Sequence, residues 1–184
     1  GTGRLLDITD FGTTVQHSFY AIADGSAITN VRTSLEKREY SRSSDTTGDG
    51  TVSGNTFSWD NKRGWYMDLP SGENANTRPA IAYDSVVFVT NKVGANDCSA
   101  QSMLYQLDIG TGLAPASEPN YVSHLLSATT NSSAALVVKL KGGKLKVIGQ
   151  YYDPSKGKGT WEEEGPTTSN IQAGKNAWRE VLRQ

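Results

Sequence analysis

Leu104-Tyr105-Gln106-Leu107-Asp108-Ile109-Gly110-Thr111-Gly112 is the stretch on which the reading of this fold turns. Apolar and polar residues alternate through 105–109, the two-residue period of a strand with one buried face. The residues that follow, Gly, Thr and Gly, are of the types that close tight turns. Two earlier stretches share the order of an aromatic residue, a Tyr, alternating apolar positions and a turn with Gly. They are Phe19-Tyr20-Ala21-Ile22-Ala23-Asp24-Gly25 and Trp65-Tyr66-Met67-Asp68-Leu69-Pro70-Ser71-Gly72. The three tyrosines lie 46 and 39 residues apart. A spacing near ~40 to 50 residues is that of one four-stranded propeller blade.

The rest of the chain reads the same way. Apolar runs of four to eight residues are separated by Gly, Asn, Asp and Ser, with almost no sustained helical period, so the class is all-β. The clearest hairpin is Leu136-Val137-Val138-Lys139-Leu140-Lys141, a two-residue turn at Gly142-Gly143, and Lys144-Leu145-Lys146-Val147-Ile148-Gly149. Two glycines supply the positive φ angles that such a turn demands. Leu136, Val138 and Leu140 alternate with Val137 and Lys139, which predicts one wet and one buried face. A second hairpin is expected from Ala80-Ile81-Ala82-Tyr83 through a turn at Asp84-Ser85 to Val86-Val87-Phe88-Val89-Thr90. Residues 41–58 hold only Val52 and Phe57 as strong apolar positions and read as a long polar loop insertion. Residues 71–77 and 153–170 read as lower-order stretches, and 173–184 fits either a helical turn or a closing strand. At one blade per repeat, 184 residues make about four blades, and the polar insert reduces that number. The expected architecture is a partial β-propeller, an arc of three to four blades of a larger ring. The missing blades would come from the rest of the precursor or from a neighbouring chain, since an arc leaves strand edges uncovered.

Composition removes several function classes. Lys plus Arg number 18 against 19 Asp plus Glu, a net charge of -1, so electrostatic capture of nucleic acid or of an anionic membrane has no basis in composition. Ser plus Thr equal all charged residues together, and Thr, Tyr and Trp suit pleated, half-buried surfaces. No apolar window approaches the ~18 residues of a membrane-spanning helix. The single cysteine, Cys98, excludes an internal disulfide; it is a free thiol or pairs outside these residues.

Set out in order, these stretches resemble the C-terminal β-propeller of the PilC/PilY family, type IV pilus tip-associated adhesin and pilus biogenesis proteins of bacteria. The resemblance rests on Gly1-Thr2-Gly3-Arg4-Leu5, Ser18-Phe19-Tyr20-Ala21-Ile22 and Lys62-Arg63-Gly64-Trp65-Tyr66-Met67-Asp68-Leu69-Pro70-Ser71-Gly72-Glu73. It continues through Val86-Val87-Phe88-Val89-Thr90, Asn96-Asp97-Cys98, residues 102–112 and the terminal Trp178-Arg179-Glu180. It covers roughly residues 1–112 and the last few; residues 113–174 have no match to it. It implies that residues 1–184 are the final part of a propeller in a longer, exported protein. It further implies a place at the pilus tip or cell surface reached through the periplasm, and a part in pilus extension, surface attachment and twitching motility rather than catalysis. The implied partners are the remaining propeller segment, minor pilins at the tip, and a host or abiotic surface.

Family members commonly carry an EF-hand-like calcium loop, typically upstream of the part represented here. The resemblance therefore implies no cofactor within this segment and leaves calcium to the missing part of the propeller. The local echo is Asp45-Thr46-Thr47-Gly48-Asp49-Gly50-Thr51, with Asp45 and Asp49 at loop positions 1 and 5 and Gly50 at 6. Thr56 stands at position 12, where a bidentate Glu is needed. Asp45 and Asp49 are thus weak candidate metal ligands against the reading of a plain polar loop.

Catalytic constellations are absent from the sequence. His17 and His124 stand apart, and no nucleophile elbow, His-Glu-x-x-His helix or phosphate loop occurs. Among Trp59, Trp65, Trp161 and Trp178, Trp65 lies in an alternating strand and is expected in the core. Trp161, set among glycines and glutamates, is the candidate for an exposed binding ring. Two other functions stay open at this stage. The repeat at 105–112 also resembles blades of quinone-dependent dehydrogenases, and a generic scaffold propeller would bind other pilus subunits.

Overall fold

In a computed structural model the described residues are all-β apart from one helical turn. The structure describes residues 15–164, apart from 26, 44–48, 83, 94–99, 116–121, 128–134, 140–144 and 154–156. A nearly closed, barrel-like sheet of nine strands carries a separate three-stranded sheet on its flank.

The first part of the large sheet joins β1 (Ser18–Ile22), β4 (Gly64–Asp68) and β2 (Glu36–Arg42). β1 is antiparallel to β4, while β2 runs parallel to β4 over three residues only, Glu36↔Trp65 to Arg38↔Met67. Between β1 and β2 lies the single turn α1 (Val31–Ser34), capped by the Asn30 side chain on Thr33 N–H at 3.3 Å. β2 then pairs with β3 (Gly50–Ser53). The stretch 41–58 is therefore not one loop: 41–42 finish β2 and 50–53 form β3. Val52 explains this, because it packs against the main core and its alternation with Thr51 and Ser53 provides a one-faced strand.

The second part is an antiparallel meander of β7 (Ser85–Val93), β8 (Ala100–Asp108) and β9 (Ser123–Ser127). Short strands β5 (Glu73–Asn74) and β6 (Ala80–Ala82) both pair with β7. Ala82 pairs with Ser85, so the second hairpin turns one residue earlier than Asp84-Ser85. One bridge, Gly50↔Ser123, joins the two parts through β3 and β9.

The core follows from alternation in β7 and β8. Val86, Phe88, Met103, Tyr105 and Leu107 face Phe19, Trp65, Met67 and Leu69 of the first part. Phe19 stacks on Phe88 with ring centroids 3.9 Å apart and planes 4° off parallel. The intervening residues Val87, Val89 and Leu104 point the other way and meet Ala135, Val137 and Val147. Val137 belongs to β10 (Leu136–Lys139) and Val147 to β11 (Leu145–Asp153); with β12 (Gly157–Glu164) these make the three-stranded sheet β10-β11-β12. The two parts of the large sheet thus face each other across the main core, and the three-stranded sheet covers the other face of β7 and β8.

This packing corrects two readings of the three-stranded sheet. A turn of two residues at Gly142-Gly143 would pair Lys139 with Lys146, but Lys139 pairs with Leu145. Val137 and Val147, opposite one another, face the core, and Leu136 is 59% exposed. The buried face is the reverse of the one in which Leu136 and Val138 point inward. Within 153–170, residues 157–164 are strand, fully paired with β11 from Lys146↔Glu164 to Asp153↔Gly157.

The repeat 105–112 closes with a latch between β4 and the end of β8. The Asp108 carboxylate accepts from Thr111 N–H at 2.6 Å and from its hydroxyl at 2.7 Å, which shapes the turn. Trp65, wholly buried, donates its indole N–H to the Ile109 carbonyl at 2.9 Å. Gly112 has φ +70, and a Cβ there would stand 2.3 Å from the Trp65 ring. Gly112→Ala meets both the left-handed backbone and the indole. It is expected to destabilise the fold by about 1 to 3 kcal/mol, read as a lower urea midpoint. An unchanged midpoint would mean that the latch carries no stability.

Candidate functional site

Where β2 parts from β4, after Arg38, a cleft of about 440 Å³ opens. Its walls are residues 37–40 and 42 of β2 and 68–70 at the end of β4, with Gln16 at one end. The Gln16 side-chain amide donates to the Leu69 carbonyl, and Leu69 N–H donates to His17 at 2.9 Å, which fixes that wall. The lining is mainly polar, with Lys37, Arg38 and Arg42 against Glu39 and Asp68.

Behind the cleft lies a buried ionic cluster. Glu73 of β5 is wholly buried, and its carboxylate accepts from Arg42 Nη1 at 2.7 Å, from the Thr90 hydroxyl at 2.8 Å and from the Tyr105 hydroxyl at 2.7 Å. Four strands, β2, β5, β7 and β8, are tied by one side chain. Burial, and then the Glu73 charge, push the Tyr105 phenol well above its ordinary pKa, so it remains a donor to Glu73. Tyr40 packs its ring 5.4 Å from that of Tyr105 and shares a 2.8 Å hydrogen bond with Ser123. The stretch 71–77, expected to be of lower order, thus supplies a buried anchor.

Arg38 is different. It is 1% exposed, yet Nε donates to the Thr111 carbonyl at 2.7 Å and Nη1 to the Asn55 carbonyl at 2.6 Å, both neutral acceptors. Its Nη2 has no hydrogen-bond partner. The guanidinium lies 5.3 Å from the Phe57 ring centre. Burial lowers its pKa, partly opposed by the charge of Glu36.

On the outer face of the first part of the large sheet, Arg32 grips Asp68 with two nitrogens at 2.8 and 3.1 Å, also donates to Ser18 Oγ at 3.0 Å, and lies 4.8 Å over the Tyr66 ring. The Arg32 hydrogen bond, helped by that of Ser18, holds the Asp68 carboxyl below its ordinary range.

None of the residues lining the cleft is one that the sequence singles out as a candidate site. Asp45 and Cys98 lie outside the described residues, as does Trp178. Asp49 sits with its Oδ1 3.3 Å from His124 Nδ1. Among the described residues no group of three or more His, Cys, Asp or Glu is placed to hold a metal ion. Trp161 occupies β12 opposite Gly149, a strand position rather than the irregular setting its neighbours suggested. Trp65 is in the core, as its alternation predicts. Sequence reasoning missed Arg38, Arg42 and Glu73. The available signal was their spacing: Arg38, Tyr40 and Arg42 recur at every second residue on the inward face of β2. No helix among the described residues is long and apolar enough to cross a membrane. No family model, curated protein or solved structure matches this chain.

Two outcomes are expected. Glu73→Ala removes the carboxylate opposite a buried guanidinium and should lower stability by about 3 to 5 kcal/mol in urea titration, with Glu73→Gln losing less. A folded-state pKa below the unfolded one means that the Arg32–Asp68 pair stabilises fully above the unfolded carboxylate pKa of about 4 and is lost as pH falls through the folded value. Because Arg32 is half exposed the effect is about 1 kcal/mol or less, and Asp68→Asn should flatten that part of the stability–pH curve.

Proposed function

We propose that this chain is a non-enzymatic sector of a larger β-propeller in a type IV pilus tip-associated adhesin and biogenesis factor. It would act at the pilus tip or cell surface after export through the periplasm, in pilus extension, attachment and twitching motility. The supporting observation is that β7 and β8 are apolar on both faces, covered on one by strands that precede them in the chain and on the other by the sheet that follows. Strands covered on both faces by the chain segments on either side are what a blade inside a ring requires, whereas a two-layer sandwich buries one face of each sheet. The Trp65 indole seated on the 108–112 turn adds a latch between β4 and the end of β8. The ordered resemblance over residues 1–112 supplies the pilus context.

On this reading, attachment runs through loops at the blade ends, which vary while the strands hold position. The partners are the remaining propeller segment, minor pilins and a host or abiotic surface. Deleting this segment from its parent should reduce surface piliation, adherence and twitching together. Unchanged pilus number and attachment in cells that still export the truncated parent would overturn the proposal.

A further inference from the structure

We infer that Asp24-Gly25, in the exposed connection between β1 and α1, is a site of covalent self-modification, at which the folded chain converts Asp24 to a β-linked isoaspartate through a cyclic imide.

Asp-Gly occurs twice in the sequence, at Asp24-Gly25 and at Asp49-Gly50. In such a pair the glycine nitrogen attacks the aspartyl side-chain carbonyl carbon with little hindrance, because glycine carries no side chain to crowd it. In the first step the Gly25 nitrogen bonds to Cγ of Asp24 and gives up its proton, and one carboxyl oxygen leaves as water. In the second step water adds at the backbone carbonyl carbon of Asp24, and the bond from that carbon to the Gly25 nitrogen breaks. The chain then runs through Cγ, one atom longer, and the old backbone carbonyl has become a free carboxylate. Water is lost and regained, so mass and net charge return to their starting values and no other reactant is needed.

The fold decides which pair reacts. Asp24 and Gly25 are both exposed, and Gly25 N–H donates to Asp24 Oδ1 at 2.8 Å, so the attacking atom is already beside the group it attacks. Ala23, just before them, is held to Arg63 in both directions. Its N–H donates to the Arg63 carbonyl at 2.8 Å, and its own carbonyl accepts from Arg63 Nη2 at 3.0 Å. Gly25 has φ +147, a backbone value that favours glycine, and a Cβ there would run into the Arg63 guanidinium. The approach of amide to carboxylate is therefore built into the turn. Residues 24, 25, 27, 29 and 30 are exposed and belong to no strand, so an extra backbone atom is absorbed without unpairing a ladder.

Asp49-Gly50 has the same chemistry in the opposite setting. Gly50 is buried at the start of β3, pairs with Arg42 on one side and Ser123 on the other, and its carbonyl accepts from Val122 N–H at 2.8 Å. The Asp49 carboxylate lies 3.3 Å from His124. Closing an imide there pulls Gly50 out of both ladders and breaks the bridge that joins β3 to β9, so the native state must open first.

The test incubates the intact chain for weeks in mildly acidic buffer, folded and in parallel in urea, and digests both with trypsin beside an unincubated control. Residues 5–32 and 43–62 are the tryptic peptides that carry Asp24 and Asp49. Electron-transfer fragmentation, which cleaves the added backbone bond of a β-linked residue, locates isoaspartate in each. In the folded protein it should accumulate at 24 roughly tenfold or more faster than at 49, because only the second site waits on local opening. In urea the two rates should converge to within about twofold, since the turn and the ladders are both gone. Absence of isoaspartate at 24 in the folded chain, equal rates at 24 and 49, or a preference for 24 that persists undiminished in urea would each overturn the proposal.

Discussion

Strands β7 and β8 carry large apolar side chains on both faces, and this constraint organises the molecule. Phe88, Tyr105 and Leu107 on one side and Val87, Val89 and Leu104 on the other are all wholly buried. Each fully buried side chain of this kind is worth about 1.5 to 3 kcal/mol relative to exposure, so leaving either face in water is not an option for a marginally stable chain. Two cover layers must exist, and they come from the chain segments on either side. The preceding layer presents Phe19, Trp65 and Met67; the following one presents Val137 and Val147.

The polar interior solves a second problem created by the first. Closing β2, β5, β7 and β8 together buries Arg42 and Glu73, and the three hydrogen bonds to Glu73 answer its desolvation. Such a cluster specifies alignment more than it adds stability, since a shifted strand would leave a charge unmatched. Arg38, one alternation step from Tyr40 and two from Arg42, is buried by the same geometry without being neutralised. The contrast between the two arginines shows that one alternation buries both and that only Arg42 meets a carboxylate there.

How far the sequence predicts the structure depends on how local the determinant is. The β class, the strand of 102–108, the burial of Trp65 and the turn at 108–112 are legible because alternation and turn chemistry are local. β3 was hidden because a four-residue strand with one apolar side chain, Val52, looks like loop until its partner Tyr40 is known. Glu73 was hidden for the opposite reason: a charged residue in a Gly, Asn and Ser context is a solvated turn in most chains, and only the convergence of Arg42, Thr90 and Tyr105 buries it. Arg38 was equally out of reach, since the carbonyls that hold it, Asn55 and Thr111, are 17 and 73 residues away. For Asp45 and Asp49 the sequence itself sets the limit, since Thr56 stands where a bidentate Glu is needed.

The hairpin of β10 and β11 shows how tertiary demand overrides a local turn signal. Gly142-Gly143 favours one register, and that register aligns Leu136 and Val138 as the apparent apolar face. The side of the meander turned away from the main core presents Val87, Val89 and Leu104, and the close-packed answer is Val137 against Val147. A slip of one residue exchanges the faces of a strand, so the choice of register and the choice of buried face are one decision. The core wins because burying Val147 completely outweighs the preference of a turn, and Leu136, with Ile148 opposite it, is left on the outer face. The apolar residues of that outer face are there as a consequence of the packing beneath.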